Sequence, residues 1–155
     1  MSQRNYPDLH EHIKKLRASN LLIEINDPIN KDTEMHPLVR WQFRGSIAEA
    51  DRKAFLFTNI TDSLGRKYDL PVVVGALATN PEIYRIGLGC ELDEVGETWG
   101  RAISNPVKPR LIEDAPCHEI VSTGNDLVGV GCGLDALPIP ISTPGFDCAP
   151  YLTAT

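Results

Sequence analysis

Few residues in this sequence combine side-chain types with a spacing that could carry out chemistry. Cys117, His118 and Glu119 place a thiol, an imidazole and a carboxylate side by side, which are the groups used in nucleophilic and acid–base catalysis. On a strand, however, adjacent side chains point to opposite faces of the sheet, so Cys117 and His118 would not meet as nucleophile and base. We therefore predict a structural role for this triplet.

Two stretches contain closely spaced glycines, which let a backbone approach a phosphate group. They are GLGC at positions 87–90 and GVGCG at positions 129–133. Neither stretch follows a predicted strand and opens a helix with the Gly-x-Gly-x-x-Gly spacing of a dinucleotide site, and the Walker spacing is absent from the sequence. We predict that both stretches form turns.

The sequence also lacks the spacing of a metal or dithiol redox site. None of its four cysteines belongs to a Cys-x-x-Cys pair, so we expect free thiols in a reducing compartment. We interpret His36 as a helix-end residue, and the acidic run from Asp93 to Glu97 as a complement to a helix dipole. We interpret Glu113 and Asp114, an acidic pair in the Pro-rich region, as exposed to water. The residues alone therefore predict neither a catalytic set nor a metal site.

The charge pattern argues against a nucleic-acid partner. The formal net charge is −6, whereas phosphate recognition needs clustered Lys and Arg. The main cationic cluster, formed by His12, Lys14, Lys15 and Arg17, is predicted to be the solvated face of a helix. No apolar run approaches the roughly 18 residues that span a bilayer, and residues 1–6 lack the apolar stretch of a signal peptide. The sequence predicts a cytoplasmic protein without a membrane span.

Four helices are predicted in the first part of the chain. The first follows Asp8, which has Glu11 at the spacing of a capping box. The second opens at residues 32–34, and the third follows Asn80, with Pro81 in its first turn. Apolar residues recur at helical spacing in the second and fourth helices. These are Leu38, Trp41, Ile47 and Ala50, the predicted inward stripe of the second helix, and Leu92, Val95, Trp99 and Ile103 in the fourth.

Three strands are predicted between these helices, at residues 21–25, 54–58 and 71–75. Residues 61–67, which contain Asp-Ser-Leu-Gly, are predicted to form a turn between the second and third strands. The last, PVVVG, is apolar without alternation, which is typical of a strand covered on both faces. Strands that alternate with helices favour an α/β layer with a partly parallel sheet. We therefore predict an N-terminal α/β domain over residues 1–110.

The composition changes after Asn105, where prolines and glycines recur and no helix is predicted. Residues 118–122 (HEIVS) are predicted to form a strand, residues 137–141 (LPIPI) an extended apolar strip, and residues 151–155 a further strand. We interpret residues 111–155 as a Pro/Gly-rich connection and the first strands of a second, β-rich domain. A domain seldom ends on an unpaired strand, so we expect the sequence to be part of a longer chain.

Five stretches of the chain resemble, in the same order, the N-terminal portion of the UbiD-like decarboxylases that use prenylated flavin mononucleotide (prFMN). The resemblance rests on the order and spacing of these stretches across essentially the whole chain. They are a first helix with Asp8, Leu9 and Leu16 followed by NLLIEI at 20–25 and Pro28; AFLFTNI at 54–60; PVVVG at 71–75; PCHEI at 116–120; and LPIP at 137–140 with STPG at 142–145 and APYLT at 149–153.

The resemblance implies an enzyme of three parts. An α/β N-terminal domain is followed by a β-rich, split β-barrel domain that binds prFMN, and then by a C-terminal domain used to form homo-oligomers. The implied reaction is the reversible decarboxylation of an aromatic or α,β-unsaturated acid, or of its thioester, in which the cofactor supplies the difficult chemistry. Mn²⁺ and a monovalent cation (K⁺ or Na⁺) would tie the flavin phosphate to the protein, and a flavin prenyltransferase would supply the cofactor.

In this family the metal ligands and a Glu-Arg-Glu set that handles protons follow the proline strip. The resemblance therefore places them downstream of Thr155 and implies that these 155 residues alone are inactive and bind no cofactor. Thr153 lies where the family's chain begins to approach the flavin. It is the one candidate cofactor-binding residue, and packing within a strand is its alternative role.

Two further hypotheses belong to other classes of protein. A short, non-catalytic assembly or regulatory subunit could bind a partner through the strand edge at residues 137–155, because an unpaired edge invites strand addition. That hypothesis predicts a tight complex with a longer polypeptide. An independent small enzyme is the remaining hypothesis, and no constellation of residues supports it.

Overall fold

The computed structural model describes residues 8–113, 115, 118–141 and 150. Within them the chain forms helices, short strands and 3-10 turns, and no described helix is long and apolar enough to cross a membrane. The helices are α1 (Leu9–Ala18), α2 (Met35–Arg44), α3 (Pro81–Leu88) and α4 (Val95–Ser104). The strands are β1 (Leu22–Ile25), β2 (Ile29–Asn30), β3 (Ala54–Phe57), β4 (Ile60–Thr61), β5 (Lys67–Tyr68) and β6 (Val72–Val74).

Helix α1 begins where the sequence predicts, because its cap is local. Asp8 Oδ1 accepts a hydrogen bond from the Glu11 backbone N–H (2.9 Å), and Glu11 Oε2 accepts one from the Asp8 backbone N–H (2.8 Å). This reciprocal pair satisfies donors that every helix leaves open at its N-terminus. Beyond the helix, Asn20 adopts a φ of 57°, a left-handed conformation that Asn tolerates better than most residues.

The central sheet has β3 between β1 and β6. β1 runs parallel to β3, with Leu22 opposite Ala54, and β6 runs antiparallel to it, with Val73 opposite Leu56. The predicted partly parallel sheet is thus confirmed. All three residues of β6 are half-buried at the sheet edge. Val72 and Val74 pack against one buried cluster and Val73 against another on the opposite face, so both faces of this strand are partly covered, as its apolar run predicts.

A second small sheet contains β2, β4 and β5. β2 is parallel to β4, with Ile29 opposite Ile60, and β4 is antiparallel to β5, with Ile60 opposite Tyr68. Because β2 follows β1 as β4 follows β3, the parallel pairing of the first sheet is repeated in the second. The β4–β5 hairpin carries the turn that was predicted between residues 61 and 67.

Two clusters of buried apolar side chains hold the helices against the strands. One contains Met35 and Val39 of α2 with Phe57 of β3. The other contains Leu16 of α1 and Ile83 of α3. Fully burying a side chain of this size contributes about 1.5–3 kcal/mol, so these two clusters are the main favourable term for the α/β part.

The predicted inward stripe of α2 is wrong. Trp41 is 70% exposed and Leu38 is also exposed, while Ile47 and Ala50 lie beyond the last residue of the helix and face water. Gly45 caps the end of this helix. The buried residues of α2 are Met35, Val39 and Gln42.

Gln42 can occupy a core position because both polar atoms of its amide group are hydrogen-bonded. Its Nε2 donates to the Lys53 carbonyl (2.9 Å) and its Oε1 accepts from the Lys53 backbone N–H (2.8 Å). A buried polar group that finds its partners avoids the cost of desolvation. This pair joins α2 to the segment that leads into β3.

Helix α4 is preceded by a 3-10 turn at Leu92–Glu94, and its apolar residues are largely open to water. Leu92, Trp99 and Ile103 recur at the predicted helical spacing but face no core among the residues described. The Trp99 Nε1–H donates to the Tyr84 hydroxyl (3.1 Å), which ties α4 to α3.

The described residues after Asn105 form no strand. The strand predicted at 118–122 is wrong, because the His118 N–H donates to the Ala115 carbonyl (2.9 Å) and closes a turn. Ile120 and Val121 are exposed, and a strand without a neighbour to pair with is not stable in water. The glycine-rich connection instead folds into 3-10 turns at Gly124–Leu127 and Gly133–Ala136. The strand predicted at 151–155 lies outside the described residues.

Candidate functional site

The β4–β5 hairpin turns through Asp62, which organises the loop with its own side chain. Asp62 Oδ1 accepts from the backbone N–H groups of Leu64 and Arg66, each at 2.9 Å. Gly65 adopts a φ of 80°, a conformation that Gly reaches without steric cost. The Asp-Ser-Leu-Gly turn predicted from the sequence therefore also fixes the direction of the Arg66 side chain.

Arg66 is held against the hairpin by two neighbours. Its Nε donates to Asp62 Oδ2 (2.6 Å), and its guanidinium lies 5.5 Å from the centre of the Tyr68 ring. The Tyr68 hydroxyl also donates to Asp62 Oδ2 (3.1 Å). Asp62 is thus a carboxylate with only 2% of its side chain exposed and several donors around it.

These contacts perturb the ionisation of the three side chains. Burial opposes the charged form of Asp62, but the hydrogen bonds from Arg66, Leu64 and Tyr68 outweigh it and lower its pKa to about 2. Burial, together with the hydrogen bond to Asp62, raises the pKa of Tyr68. The hydrogen bonds to Asp135 and Asp62 raise the pKa of Arg66. The hairpin therefore presents a permanently ionised pair at neutral pH.

A second carboxylate reaches Arg66 from the glycine-rich connection. Asp135 Oδ2 accepts from Arg66 Nη1, and Asp135 Oδ1 accepts from Nη2 (3.3 Å). Asp135 Oδ2 also accepts from the Gly131 backbone N–H (2.7 Å). The hydrogen bonds from Arg66 and Gly131 lower the pKa of Asp135. Arg66 thereby joins two parts of the chain that lie far apart in sequence.

Lys31 and Asp32 form a further ion pair beside the hairpin. The buried Lys31 Nζ donates to Asp32 Oδ1 (2.6 Å), and the Ser63 backbone N–H donates to Asp32 Oδ2 (3.0 Å). Burial opposes ionisation of Asp32, but these hydrogen bonds outweigh it and lower its pKa. Lys31 Nζ also lies 5.7 Å from the centre of the Tyr68 ring.

These charged groups line an open cleft of about 640 Å³ between the hairpin and the end of the connection. Its remaining surface is mainly apolar, supplied on one side by Leu64 and on the other by Leu137, Ile139 and Ile141. A cleft with a few charged groups and apolar walls has the general character of a binding site. In this cleft, however, both cations are already engaged by carboxylates.

The described residues do not fit the cofactor set that the family resemblance implies. They contain no group of three or more His, Cys, Asp or Glu side chains that could hold a metal ion. In the cleft, Lys31 is paired with Asp32, and Arg66 is shared by Asp62 and Asp135. The cleft thus offers a flavin phosphate no cation that is not already paired, and we derive no chemical step through a flavin or a metal from these side chains.

The structure places the residues singled out from the sequence in different surroundings. Thr153 and Cys117 lie outside the described residues, so the cofactor-binding prediction for Thr153 stays a prediction. His118 is exposed in a turn. Residues 129–133 form turns, as predicted. Gly87 and Leu88 are instead the last residues of α3, and Gly89, with a φ of 68°, is its C-cap, so the GLGC stretch ends a helix.

The prediction that the whole cationic cluster of α1 faces solvent is wrong for one residue. His12 is buried, and its Nε2 lies 2.6 Å from the Ala76 carbonyl oxygen. It shares the inner side of α1 with the buried Leu16, four residues and about one turn further along. The ring fills a core position because its polar atom finds a backbone partner. A charge count along the helix could not distinguish this residue from its exposed neighbours.

The residues that build the cleft were not identified from the sequence. Asp62 and Arg66 are four positions apart across a turn that the sequence does predict, and this spacing is the one signal that could have found them. Asp135 lies 69 positions from Arg66, and no sequence pattern links the two. Lys31, taken alone, is expected on a surface, since Lys is rarely buried unless it is paired.

Comparison with known proteins places the α/β part in a family. Residues 13–103, more than half of the chain, match the model of the 3-octaprenyl-4-hydroxybenzoate carboxy-lyase N-terminal domain. The matched segment runs from α1 to α4 and so contains both sheets. The resemblance drawn from the order of the sequence stretches is thereby confirmed.

Solved structures show the same relationship. The chain is similar to the UbiD-class enzyme HmfF from Pelotomaculum thermopropionicum in complex with FMN, at 27% identity and a TM-score of 0.71, over 94% of this chain and 29% of that chain. It is also similar to an evolved dimeric form of HmfF in complex with prFMN, at 26% identity and a TM-score of 0.73, over 94% of this chain and 30% of that chain. The vanillic acid decarboxylase of Sedimentibacter hydroxybenzoicus, in open form, shares the fold at 20% identity and a TM-score of 0.65, over 91% of this chain and 29% of that chain.

This chain therefore spans less than a third of the length of each of these enzymes. Given the family match over residues 13–103, the chain belongs to the UbiD carboxy-lyase family and carries its N-terminal domain.

Proposed function

We propose that this chain is the N-terminal part of a carboxy-lyase that catalyses reversible, prFMN-dependent decarboxylation of an aromatic or α,β-unsaturated acid or thioester. The observation that carries this proposal is the match of residues 13–103 to the carboxy-lyase N-terminal domain. The similarity of nearly the whole chain to HmfF, solved with FMN and with prFMN, supports the flavin part of it.

The proposal assigns different tasks to the two parts of the chain. Residues 1–110 form the α/β domain, and residues 111–155 lead into a β-rich flavin domain, where Thr153 is the candidate contact to the cofactor. The catalytic groups and the ligands for Mn²⁺ and for K⁺ or Na⁺ lie downstream of Thr155. The 155 residues alone are then inactive.

The remaining features follow from the same family proposal. The substrate is a small carboxylic acid, the whole enzyme is a homo-oligomer in the cytoplasm, and a flavin prenyltransferase supplies the cofactor. A net charge of −6 argues against a nucleic-acid partner. The chain's own contribution is structural, since the ion pair between Arg66 and Asp135 holds the later part of the connection on the α/β domain.

The first test of the proposal is the mass of the native polypeptide. An antibody raised against this chain would recover the protein from its source cells, and intact-mass measurement would follow. We expect a species severalfold heavier than the 17.1 kDa of the chain. A species of 17.1 kDa in a tight complex with a longer polypeptide would instead support a non-catalytic assembly subunit.

The second test addresses the reaction class without requiring the substrate to be known. The whole protein would be produced in two sets of cells, one with a flavin prenyltransferase and one without it. Each preparation would be incubated with a panel of aromatic and α,β-unsaturated acids and ¹³C-bicarbonate. A reversible decarboxylase exchanges the label into the carboxyl group of its substrate. We expect exchange only in the preparation made with the prenyltransferase. Equal exchange in both preparations would contradict the dependence on prFMN, and exchange into no member of the panel would contradict the proposed substrate class.

A further inference from the structure

Nearly all of the described residues between α4 and position 130 are exposed. They are residues 105–113 and 118–130, with Ala115 half-buried. Partly buried residues return between positions 131 and 141, where Pro138 is buried and Leu137, Ile139 and Ile141 line the cleft. We call residues 131–141 the strap. The strap therefore lies against the hairpin, whereas the described residues 118–130 that precede it face water.

Arg66 is the principal polar contact between the strap and the hairpin. It is positioned on the hairpin side by Asp62 and by the Tyr68 ring, neither of which belongs to the strap. Asp135 then meets its outer nitrogens in a two-point contact, the geometry in which guanidinium and carboxylate groups bind most specifically. The guanidinium is therefore ready to receive the strap whether or not the strap is docked.

The strap is also organised within itself. The Asp135 N–H donates to the Cys132 carbonyl (3.1 Å), the Leu137 N–H donates to the Leu134 carbonyl (3.1 Å), and Asp135 accepts from Gly131. One backbone hydrogen bond, from the Ile141 N–H to the Lys31 carbonyl (3.3 Å), joins the strap to the α/β part. Local bonds of this kind remain when the strap leaves the hairpin, so it can detach as a unit.

The ion pair between Arg66 and Asp135 is open to solvent ions. Their side chains are 27% and 47% exposed, so dissolved salt screens their attraction. Partly exposed pairs contribute little free energy, which suits a contact that opens and closes rather than one that holds the core together. By contrast, Asp62 is enclosed and keeps its bond to Arg66 when the strap departs.

We propose that Arg66 is a latch that fastens the strap to the β4–β5 hairpin, and that loss of its ion pair with Asp135 makes the strap detach more often while both sheets stay folded. The latch fixes the place from which the chain continues beyond the α/β domain. Its consequence for catalysis, namely the orientation of the flavin domain relative to the α/β domain, rests on the proposed function, whereas the latch itself does not.

The test is hydrogen–deuterium exchange of the intact protein, followed by mass spectrometry of peptides from the strap and from β1 to β4. Asp135→Asn removes the charge from the exposed partner and leaves Asp62 paired with Arg66. We expect roughly two- to fivefold faster exchange in the strap, the range for a partly exposed ion pair, with the sheets unchanged. Wild-type protein at high salt should shift in the same direction.

A matched control and a second variant keep the outcome interpretable. Glu24→Gln removes the exposed ion pair with Arg17 (2.6 Å), which lies outside the strap, and should not change exchange in the strap. Arg66→Lys keeps the charge but loses the two-point contact and should fall between wild type and Asp135→Asn. Unchanged exchange in the strap of Asp135→Asn, or equal acceleration in strap and sheets, would overturn the latch. Neither readout depends on decarboxylation, so failure of the proposed function would not be mistaken for failure of the latch.

Discussion

Asn80 caps α3 and also holds the segment before β3, so its replacement should cost more than the loss of an ordinary helix cap. The side chain is buried, with only 2% of the residue exposed. Its Oδ1 accepts from the Ile83 backbone N–H (2.8 Å), and its Nδ2 donates to the Arg52 carbonyl (2.5 Å). One amide group thus fixes the start of a helix and its distance from a neighbouring loop.

The two bonds allow the cost of Asn80→Ala to be worked out in parts. Loss of an N-cap side chain costs about 1 kcal/mol. Loss of the Nδ2 donor leaves the Arg52 carbonyl without this partner, and an unsatisfied buried acceptor costs about 1–3 kcal/mol. We therefore expect Asn80→Ala to lower the free energy of unfolding by about 2–4 kcal/mol. Asn80→Asp keeps the cap acceptor but turns a carboxylate oxygen towards the Arg52 carbonyl in place of the donor, so it should cost at least the second part, about 1–3 kcal/mol.

The assay is equilibrium urea unfolding followed by far-UV circular dichroism, with Asp8→Ala as the matched control. Asp8 is half-buried and caps α1 through its bond to the Glu11 N–H, so its replacement should cost about 1 kcal/mol. If Asn80→Ala and Asp8→Ala lowered the free energy of unfolding equally, the bond to the Arg52 carbonyl would contribute nothing, and the reasoning would be refuted.

Two further outcomes follow from the core and from the hairpin. Phe57 is fully buried and stacks on Phe55 with ring centres 5.9 Å apart. Phe57→Ala should lower the free energy of unfolding, measured in urea, by about 3–5 kcal/mol, whereas Leu64→Ala should change it little because Leu64 is exposed. Equal effects of the two substitutions would contradict the placement of the core. Asp62 has a folded-state pKa lowered to about 2, below its unfolded value, so its stabilising effect is fully present above the unfolded pKa and is lost as the pH falls from about 4 towards 2. Urea midpoints measured across that range should fall less steeply for Asp62→Asn than for wild type, and identical slopes would show that Asp62 is not responsible.

The parts of the fold that the sequence predicts correctly are those encoded over a few residues. The capping box of α1 joins Asp8 and Glu11, three positions apart, and the start of α3 is predicted by Asn80 followed by Pro81. The hairpin turn with Gly65 is likewise local. In each case the atoms that form the contact are neighbours in the chain, so the pattern alone determines the geometry.

The inward face of α2 could not be predicted in the same way, because tertiary contacts decide it. Gln42 is buried since the Lys53 backbone supplies both of its partners, and the apolar Trp41 is left outside. Polarity at one position does not reveal a partner many positions away. The same limit applies to His12, whose partner is the Ala76 carbonyl.

The contacts that build the cleft are likewise partly local and partly tertiary. The pairing of Asp62 with Arg66 is local to the turn and is accessible to sequence reasoning, whereas the approach of Asp135 depends on how the whole connection returns to the hairpin. The strand predicted at residues 118–122 failed for a related reason. An apolar pattern predicts an extended segment, but only a neighbouring strand makes it part of a sheet, and the described residues supply none there.

The position of β3 at the centre of the sheet has a consequence for the order of folding. Its antiparallel partner β6 follows it closely in the chain, whereas its parallel partner β1 is about twice as far away in sequence. Each doubling of loop length adds only about 0.6 kcal/mol to the entropic cost of loop closure. Closing the loop between β3 and β6 therefore costs slightly less than closing the loop between β1 and β3, which favours pairing of β3 with β6 first. All six strands among the described residues also lie in the first half of the chain. During synthesis the hairpin that carries Arg66 can therefore be complete before the strap leaves the ribosome, so that the strap docks on a surface that has already folded.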